Sequence, residues 1–406
     1  MKIAIFTEVY RPIVNGVVRS VDSLAEQLRT LGHEVFTFAP HIPKGAERAG
    51  QVFRMPSLPL PARTEYRLTL PLVARRNKAR FLSQCDVIHS HSLFITGWMA
   101  SYYARRRFRV PLIYTYHTLL DRYAHYSPLG KKITSQLTRE LTKTYANAAD
   151  AVIVPTKTVA AELRNQGVTA PICVVPTGVD IAAFAGLDPA LGHALRDKLG
   201  IKLDAPLLLL VSRLAPEKNV GFAIQALNRL RLRLPDAQLL LVGSGPSMQQ
   251  LKAEVKALGL QQAVHFAGVV EHSEIPAFYA AADVFVFPSV TETQGLVLAE
   301  AFAAGLPVVA LDNPQTRDVF GEHLAGEIVK DPESMAIAAH NLIINDERRA
   351  LAITHARTAA AAFDVRATAG RVLAIYEAVV SVAGKSARPD EALSAFSASS
   401  GFSAQM

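Results

Sequence analysis

Apolar runs of strand length alternate with longer segments of helical period along most of the chain. The first series starts at Ile3–Phe6, continues with a helical segment at Val17–Leu31 and resumes at Val35–Ala39. Its later strand-like runs are Val87–His89, Leu112–Thr115, Val152–Val154 and Cys173–Val175. Continuous apolar strands that alternate with helices predict a parallel sheet with helices on both faces.

The same pattern occurs again in the second half of the chain. Its strand-like runs are Leu207–Val211, Leu239–Val242, Val264–Phe266, Val284–Phe287 and Val308–Leu311. Two series of this kind in a chain of 406 residues predict two doubly wound, Rossmann-like α/β domains. Ligands bind such sheets at the carboxyl ends of the strands, so we expect the two domains to face each other across a cleft.

The boundary between the two predicted domains lies in the segment PTGVDIAAFAGLDPALG. This segment is rich in Gly, Pro and Asp and lacks both periodicities, as linkers usually do. We therefore predict an acceptor-binding domain over residues 1–187 and a nucleotide-sugar-binding domain over 188–364. The helical run at 365–384 is predicted to pack back on the first domain, and the Ser/Ala-rich tail at 385–406 is predicted to be disordered.

The composition excludes several classes of protein. Half of the residues are apolar and 19% are charged, which suits a chain with large buried cores. The first apolar run is interrupted by Glu8, as in a strand and unlike a signal peptide, and no apolar run reaches the roughly 18 residues of a transmembrane helix. The two cysteines, Cys85 and Cys173, form no disulfide or metal-binding pattern, so a reducing cytoplasm is the expected location.

Positive charge is concentrated in the first half of the chain. Residues 1–187 contain 24 Lys and Arg against 12 Asp and Glu, whereas the remainder has 19 against 23. A basic cluster surrounds the apolar stretch YRLTLPLVARRNKARFL and comprises Arg67, Arg75, Arg76, Lys78 and Arg80. This pattern favours contact with an anionic membrane surface. A solvated helix face is the alternative, and no motif supports nucleic-acid binding.

Several strand ends carry residues suited to a phosphorylated ligand. Gly16 opens the first helix, and Gly243 follows a strand of the second domain, so both allow close approach of a ligand to the backbone. Arg213 and Lys218 share one short loop after the strand Leu207–Val211. A guanidinium and an ammonium at that place can neutralise a diphosphate, although two solvated loop cations are the alternative.

The segment PSVTETQGLVLAEAFAAGLPVVA is the most specific in the chain. Glu292 follows the strand Val284–Phe287, and Glu300 is expected two turns into the next helix. Gly295 and Leu296 start that helix and can offer backbone N–H groups to a sugar or phosphate oxygen. Glu300 lies within an apolar run, which indicates an environment other than bulk water.

In combination, these motifs make residues 1–382 similar to the retaining glycosyltransferases of family 4. That family has two Rossmann-like domains, the arrangement known as GT-B. The resemblance implies that Glu300 binds the ribose hydroxyls of the nucleotide, Glu292 the hydroxyls of the transferred sugar, and Arg213 with Lys218 the diphosphate. Backbone groups at Gly16, Gly295 and Leu296 would also contact the donor. The sequence Glu292-Thr293-Gln294-Gly295 resembles a variant found in bacterial diacylglycerol glucosyltransferases.

The motif YTYHTLLDRYAHY fits the same subgroup and places His117 just after a strand. An imidazole there could hydrogen-bond the donor sugar and stabilise positive charge near the anomeric carbon, and we expect this role. His89 and His91 flank a neighbouring strand end, but their spacing lacks a third metal ligand. The chain contains no Asp-X-Asp sequence. We therefore expect no metal and no cofactor besides the nucleotide sugar that serves as donor.

The predicted activity is retaining transfer of a hexose, preferentially glucose from UDP-glucose, to a lipid hydroxyl such as that of diacylglycerol. Such a protein would associate peripherally with the inner face of the cell membrane. A GDP-mannose-dependent α-mannosyltransferase is the nearest alternative. The nucleotide base would be recognised by backbone groups near Gly268 and Val269, and the sequence does not display which base such groups accept. A sugar-nucleotide epimerase uses the same fold. A non-catalytic nucleotide-sugar-binding protein and a peripheral membrane scaffold are the alternatives of another class.

Overall fold

A computed structural model describes most of the chain. The described residues are 1–13, 15–42, 51–60, 63–71, 80–117, 131–321, 325–383 and 404–405. They form two compact units. Unit 1 comprises Met1–Gly178 together with Val365–Met406, and unit 2 comprises Val179–Asp364.

Strands and helices alternate through both units. Unit 1 contains β1 (Lys2–Phe6), α1 (Gly16–Thr30), β2 (Glu34–Pro40), β3 (Val52–Met55), β4 (Ser57–Leu60), β5 (Arg63–Thr69), β6 (Val87–Ser90), α2 (Ile95–Ser101), β7 (Leu112–Thr115), α3 (Lys131–Asn147), β8 (Ala151–Val154), α4 (Lys157–Asn165) and β9 (Ile172–Val174). A π-helix, Tyr102–Phe108, continues directly from α2.

Unit 2 follows the same alternation. It contains α5 (Pro189–Leu199), β10 (Leu207–Val211), α6 (Val220–Leu230), β11 (Gln238–Val242), α7 (Met248–Ala257), β12 (Val264–Gly268), α8 (Ile275–Ala281), β13 (Val284–Phe287), α9 (Leu296–Ala303), β14 (Val308–Leu311), α10 (Pro314–Phe320), β15 (Gly326–Val329), α11 (Pro332–Ile344) and α12 (Asp346–Ala360). The chain then returns to unit 1 with α13 (Val365–Ala383) and the short strand β16 (Ala404–Gln405).

Each unit is built on one large sheet. The order in unit 1 is β16-β9-β8-β7-β6-β1-β2-β3, parallel except for β16, and β4 with β5 forms a separate antiparallel hairpin. The order in unit 2 is β12-β11-β10-β13-β14-β15, parallel throughout. The predicted fold class, two Rossmann-like doubly wound domains, is confirmed.

The division between the units lies earlier than the predicted boundary at 187/188. The segment after Gly178 belongs to unit 2, because Phe184 is buried in its core beside Tyr279. Gly and Pro in this segment made it resemble a linker, but its isolated aromatic residue packs into a core. The peptide N–H of Val179 also donates to the carbonyl of Phe363. The two segments through which the chain passes from one unit to the other are therefore hydrogen-bonded to each other.

The last long helix, α13, packs on unit 1. Its buried face contributes Val372, Ile375 and Tyr376 to the same cluster as Ile3 and Val21. Among the residues that the structure describes, no helix has the length and apolar character needed to cross a membrane. The predicted disordered tail, 385–406, lies outside the described residues except for β16.

Candidate active site

The candidate donor site of unit 2 forms where three neighbouring strands end. β10 lies between β11 and β13, and all three run parallel. Their carboxyl ends therefore meet at one edge of the sheet. The loops that follow them carry Arg213 and Lys218, Gly243, and Glu292, so three predicted motifs that are distant in sequence are adjacent in the fold.

Two glycines allow the loops after β10 and β11 to touch. A Cβ atom on Gly243 would lie 2.0 Å from the carbonyl oxygen of Ser212, and one on Gly245 would lie 2.2 Å from that of Leu214. Gly243 also has a φ of 124°, a backbone conformation that favours glycine. The N–H of Leu214 donates to the carbonyl of Ser244 at 3.0 Å. The loop that carries the two cations is therefore held in place by its neighbour.

Arg213 is held by a carboxylate that the sequence analysis did not single out. Glu217 is buried, and its Oε1 accepts a hydrogen bond from a guanidinium nitrogen of Arg213 at 2.5 Å. The backbone carbonyl of Glu217 accepts from the N–H of Val290 at 3.0 Å. Glu217 thus orients Arg213 and joins the loop after β10 to the loop after β13. Its i,i+4 spacing from Arg213 was the available signal.

Lys218 and Glu292 form an ion pair across the two loops. The ammonium donates to Oε1 of Glu292, and the same oxygen accepts from the hydroxyl of Ser289 at 3.1 Å. Both charged side chains are mostly buried. An ammonium carries three N–H donors, so Lys218 has the donors to hold Glu292 and a phosphate oxygen together. The residues assigned to diphosphate and sugar are therefore in direct contact.

Glu300 occupies a buried position in α9. Its side chain is only 2% exposed, and its Oε2 accepts a hydrogen bond from the hydroxyl of Tyr279 at 2.8 Å. Because α9 begins at Leu296, Glu300 lies about one turn into the helix, and the prediction that it lies two turns into the helix is wrong. Gly295 precedes the helix with a φ of 79°, which a side chain would strain. Tyr279, which the sequence analysis missed, fixes this carboxylate.

The predicted base-binding segment lies at the end of β12. Gly268 closes that strand with a φ of 71°, and its carbonyl accepts from the N–H of Gly243 at 2.7 Å. Val269, the next residue, is 80% exposed. This segment is therefore beside the loop after β11, and Val269 is exposed at the surface of unit 2.

In unit 1, the corresponding strand ends bring together Gly16, His91 and His117. β6 lies between β1 and β7, so the loops after these three parallel strands are neighbours. Gly16 is the first residue of α1, and the side chain of Asn15 caps the helix by accepting from the N–H of Val18 at 2.9 Å. Asn15 and Val17, which flank Gly16, line the same cavity as His91 and His117.

Three histidines form a compact cluster behind this edge. Nδ1 of His91 lies 2.7 Å from Nε2 of His117, and the two rings are stacked with their centroids 5.0 Å apart. Burial lowers the pKa of His117 to about 4 and that of His91 well below its usual value. Both rings are therefore neutral at pH 7, and His117 can hydrogen-bond a sugar hydroxyl without carrying a charge.

Two hydroxyl groups hold the buried ring of His89. Nδ1 of His89 lies 2.6 Å from the hydroxyl of Tyr376, and its Nε2 lies 2.7 Å from the hydroxyl of Thr115. Both ring nitrogens thus have protein partners. Within the described part of the chain, no group of three or more His, Cys, Asp or Glu side chains is placed to hold a metal ion.

A large apolar cavity opens beside the histidine cluster, entirely within unit 1. Its volume is about 630 Å³. Most of its exposed surface is apolar. The polar lining residues are Glu8, Asn15, Arg67, His91, Ser92, Thr115 and His117. The apolar lining residues include Leu68, Leu93, Phe94, Ile95, Trp98 and Leu141. A cavity of this size and character suits an aliphatic or aromatic ligand with a polar end.

Glu8 organises the polar end of this cavity. Its Oε2 accepts hydrogen bonds from the N–H and the hydroxyl of Thr96, at 2.9 and 2.7 Å, and its Oε1 accepts from the hydroxyl of Thr69 at 3.2 Å. These bonds tie β5 and α2 to the end of β1. In the sequence, Glu8 only interrupts the first apolar run, and nothing in the local pattern indicates its partners.

The basic cluster is only partly described. The guanidinium of Arg67 donates to the hydroxyl and the carbonyl of Ser57, both at 2.9 Å, and also lines the cavity. Arg80 is exposed at the surface. Arg75, Arg76 and Lys78 lie outside the described residues.

Comparison with known proteins agrees with this architecture. A family model described as Glycosyltransferase Family 4 matches residues 14–183, and one described as Glycosyl transferases group 1 matches residues 193–359. The alpha-monoglucosyldiacylglycerol synthase of Streptococcus pneumoniae is 31% identical over 85% of this chain and 78% of its own length. A GDP-mannose-dependent alpha-mannosyltransferase of Mycobacterium tuberculosis is 30% identical over 87% of this chain and 90% of its own.

Solved structures show the same fold. The crystal structure of Anabaena Alr3699/HepE in complex with UDP has a TM-score of 0.74 and covers 92% of this chain and 98% of its own, at 22% identity. The resemblance inferred from the sequence is therefore confirmed. The chain belongs to the family 4 glycosyltransferases and is a glycosyltransferase of the GT-B fold.

Proposed function

We propose that this glycosyltransferase transfers glucose from UDP-glucose to the hydroxyl of a diacylglycerol-type lipid, with retention of the α configuration. The observation that carries the lipid acceptor is the apolar cavity of about 630 Å³ beside His117. Most of the surface exposed in that cavity is apolar, which suits the acyl chains of a lipid, and its polar groups can meet the acceptor hydroxyl. The similarity to an alpha-monoglucosyldiacylglycerol synthase supports the same acceptor class.

In the proposed reaction, the bond between the anomeric carbon and the diphosphate breaks while the lipid hydroxyl attacks from the leaving-group face. Arg213 and Lys218 stabilise the negative charge that develops on the departing diphosphate. The hydroxyl proton passes to that leaving group, so the products are the glycolipid and UDP. No residue is assigned as a covalent nucleophile.

The remaining residues bind and orient the donor. Glu300 takes the ribose hydroxyls, and Glu292, held by Lys218 and Ser289, takes hydroxyls of the transferred sugar. His117, kept neutral by burial, hydrogen-bonds the sugar and stabilises positive charge near the anomeric carbon. Backbone groups at Gly16, Gly243, Val269, Gly295 and Leu296 complete the donor contacts.

We also propose that the reaction needs no metal ion and takes place at the inner face of the cell membrane. The two loop cations can neutralise the diphosphate, and the chain has no Asp-X-Asp sequence. The basic cluster Arg67, Arg75, Arg76, Lys78 and Arg80 would attract anionic lipid, which brings the protein to its acceptor. Transfer should therefore continue in the presence of EDTA.

A second candidate is transfer of mannose from GDP-mannose, which the relative from Mycobacterium tuberculosis favours. Incubation with radiolabelled donors and detergent-dispersed diacylglycerol separates the two. We expect label in the lipid fraction from UDP-glucose and not from GDP-mannose. The reverse result selects the mannosyltransferase. Label in water-soluble products alone would overturn the lipid acceptor.

Two variants test the role of Lys218 in this assay. Replacing Lys218 with Ala should lower lipid glucosylation by about tenfold or more, because a hydrogen bond to a charged group contributes about 1.5–3 kcal/mol. Lys198→Ala is the matched control, since Lys198 is an exposed residue of α5 and should leave turnover unchanged.

A further inference from the structure

Two apolar stripes lie exposed on unit 1, and residues of both line the apolar cavity. Along α2 and its π-helical continuation, Phe94, Trp98 and Tyr102 follow one another at intervals of four residues and are 48%, 41% and 54% exposed. Residues with this spacing share one face of a helix. Isolated exposed apolar residues are ordinary, but a stripe of large aromatic side chains indicates an interaction surface.

The second stripe runs along α3. Ile133 and Leu137 are 65% and 60% exposed, Leu141 lines the cavity, and Tyr145 is fully buried. These four residues again recur at intervals of four, so the stripe passes from solvent into the interior of unit 1. Its buried end meets the first stripe, since the rings of Trp98 and Tyr145 are in edge contact with centroids 5.4 Å apart.

Positive charge flanks both stripes. Residues 94–109 contain four arginines and no acidic residue, and α3 contains four basic residues and only Glu140 as an acid. Arg106 and Arg107 are exposed at the end of the first stripe, and Lys132 is exposed at the start of the second. Large apolar side chains with cationic neighbours are the combination that binds an anionic bilayer surface.

The exposed stripes and the cavity share residues. Phe94, Trp98 and Leu141 belong to the stripes and also line the cavity, so the exposed apolar surface is continuous with the cavity wall. A lipid with two acyl chains could pass from a bilayer along this surface without crossing water. A protein partner would explain the exposed stripes but not their continuity with an apolar cavity.

We infer that the surface formed by Phe94, Trp98, Tyr102, Ile133 and Leu137, the apolar rim, inserts into an anionic-lipid bilayer and delivers the acceptor lipid to the cavity. This inference rests on the proposed lipid acceptor. The apolar rim is separate in sequence from the basic cluster around Arg75 and supplies local insertion. Trp98 and Tyr102 suit the headgroup region, where an amphipathic ring meets both water and acyl chains.

Trp98 makes a direct test available, because it is the single tryptophan of the chain. The full-length protein is mixed with vesicles of phosphatidylcholine and phosphatidylglycerol, with and without brominated acyl chains. The apolar rim predicts a blue shift of Trp98 emission on binding and quenching by the brominated lipid. Vesicle binding by sedimentation with neither a shift nor quenching would show that another surface meets the bilayer and would overturn the inference.

Matched variants separate insertion from general hydrophobicity. Ile133→Ser combined with Leu137→Ser, two exposed residues outside the cavity lining, should weaken vesicle partitioning by about tenfold or more, since each change removes a large apolar group from the bilayer. Leu203→Ser combined with Leu232→Ser, two exposed leucines of unit 2, should leave partitioning unchanged. Equal losses in both pairs would contradict the inference. Self-association of the wild-type protein, seen by sedimentation velocity and abolished only by the first pair of changes, would also contradict the inference.

Failure of this inference and failure of the proposed function give different results. If Trp98 stays unquenched while detergent-dispersed diacylglycerol is glucosylated, the apolar rim is wrong and the lipid acceptor stands. If Trp98 is quenched but no donor labels the lipid, the bilayer contact stands and the proposed function is wrong. The Ile133 and Leu137 pair, which does not line the cavity, should also retain most turnover in detergent, because detergent replaces delivery from the bilayer.

Discussion

At the scale of single residues, the two carboxylates of unit 2 have different partners, which predicts different kinetic roles. Glu300 is buried and held by the hydroxyl of Tyr279, away from the ion pair, whereas Glu292 contacts Lys218 directly. Glu300→Gln should therefore raise the KM for the donor by about tenfold, and Glu292→Gln should lower kcat by a similar or larger factor. Steady-state kinetics with a varied donor concentration measures both.

Tyr279→Phe provides the control for this pair. It removes only the hydroxyl that donates to Glu300, so it should raise the KM in the same direction as Glu300→Gln but less. A reduced kcat with an unchanged KM in Glu300→Gln would contradict the assignment of this residue to the nucleotide. Unchanged kinetics in both carboxylate variants would remove the segment from the site.

For these residues, the position in the fold could be predicted from the sequence, but the contacts could not. Arg213 and Lys218 could be placed on one strand-end loop, because the apolar period of β10 stops just before them. Their partners depend on tertiary structure. Lys218 and Glu292 are 74 positions apart and meet only because β10 and β13 are neighbours. Tyr279, on α8, has no pattern of its own that would indicate contact with Glu300.

At the scale of secondary-structure elements, the histidine cluster links the ends of β6 and β7 to α13. Nδ1 of His89 meets the hydroxyl of Tyr376 on that helix, and its Nε2 meets Thr115 at the end of β7. Burial lowers the pKa of His89 to about 3 and also lowers that of His91. Folding therefore keeps both rings neutral, whereas in the unfolded chain they titrate near pH 6.5.

This difference predicts a loss of stability in mild acid. At pH 7 neither state binds protons at these rings, but below about pH 6.5 the unfolded state does, so the free energy of unfolding falls as the pH drops toward 4. Each such histidine contributes a slope of about 1.4 kcal/mol per pH unit. Urea unfolding followed by Trp98 fluorescence at several pH values measures the slope for unit 1.

A matched variant identifies the source of this slope. His91→Asn should reduce the slope between pH 6 and pH 4 by about 1.4 kcal/mol per pH unit, because one titrating group is removed. His193→Asn, a change at an exposed residue of α5 in unit 2, should leave the slope for unit 1 unchanged. An unfolding free energy independent of pH in this range would contradict the buried neutral cluster.

The elements themselves were predictable because the strands of a parallel sheet are apolar on both faces. β10, for example, was predicted at Leu207–Val211, and the structure has these bounds. The domain boundary was not predictable in the same way. Val179 and Phe184 lie in a Gly- and Pro-containing segment without periodicity, and only their burial assigns them to unit 2. The hairpin of β4 and β5 was missed because its prolines and arginines obscure the alternation.

At the scale of the whole molecule, positive charge is concentrated in the first half of the chain. The first 187 residues carry twice as many basic as acidic residues, and the remainder is slightly acidic. Summed charge of one sign attracts an oppositely charged surface over a distance set by salt, about 8 Å at physiological ionic strength. An apolar surface acts only on contact, and salt does not weaken it.

Membrane association should therefore show two separable components. Partitioning to phosphatidylglycerol-containing vesicles should fall as salt rises, because about 1 kcal/mol per basic residue near the surface is screened. Changing Arg75, Arg76, Lys78 and Arg80 together to Ser should lower partitioning at low salt and flatten its salt dependence, while quenching of Trp98 persists in the fraction that binds. Turnover on detergent-dispersed acceptor should change less, since none of these four residues is assigned a contact with the donor. Partitioning that is insensitive both to salt and to the fourfold change would make these charges a solubilising surface, and the contact with lipid would then depend on apolar residues alone.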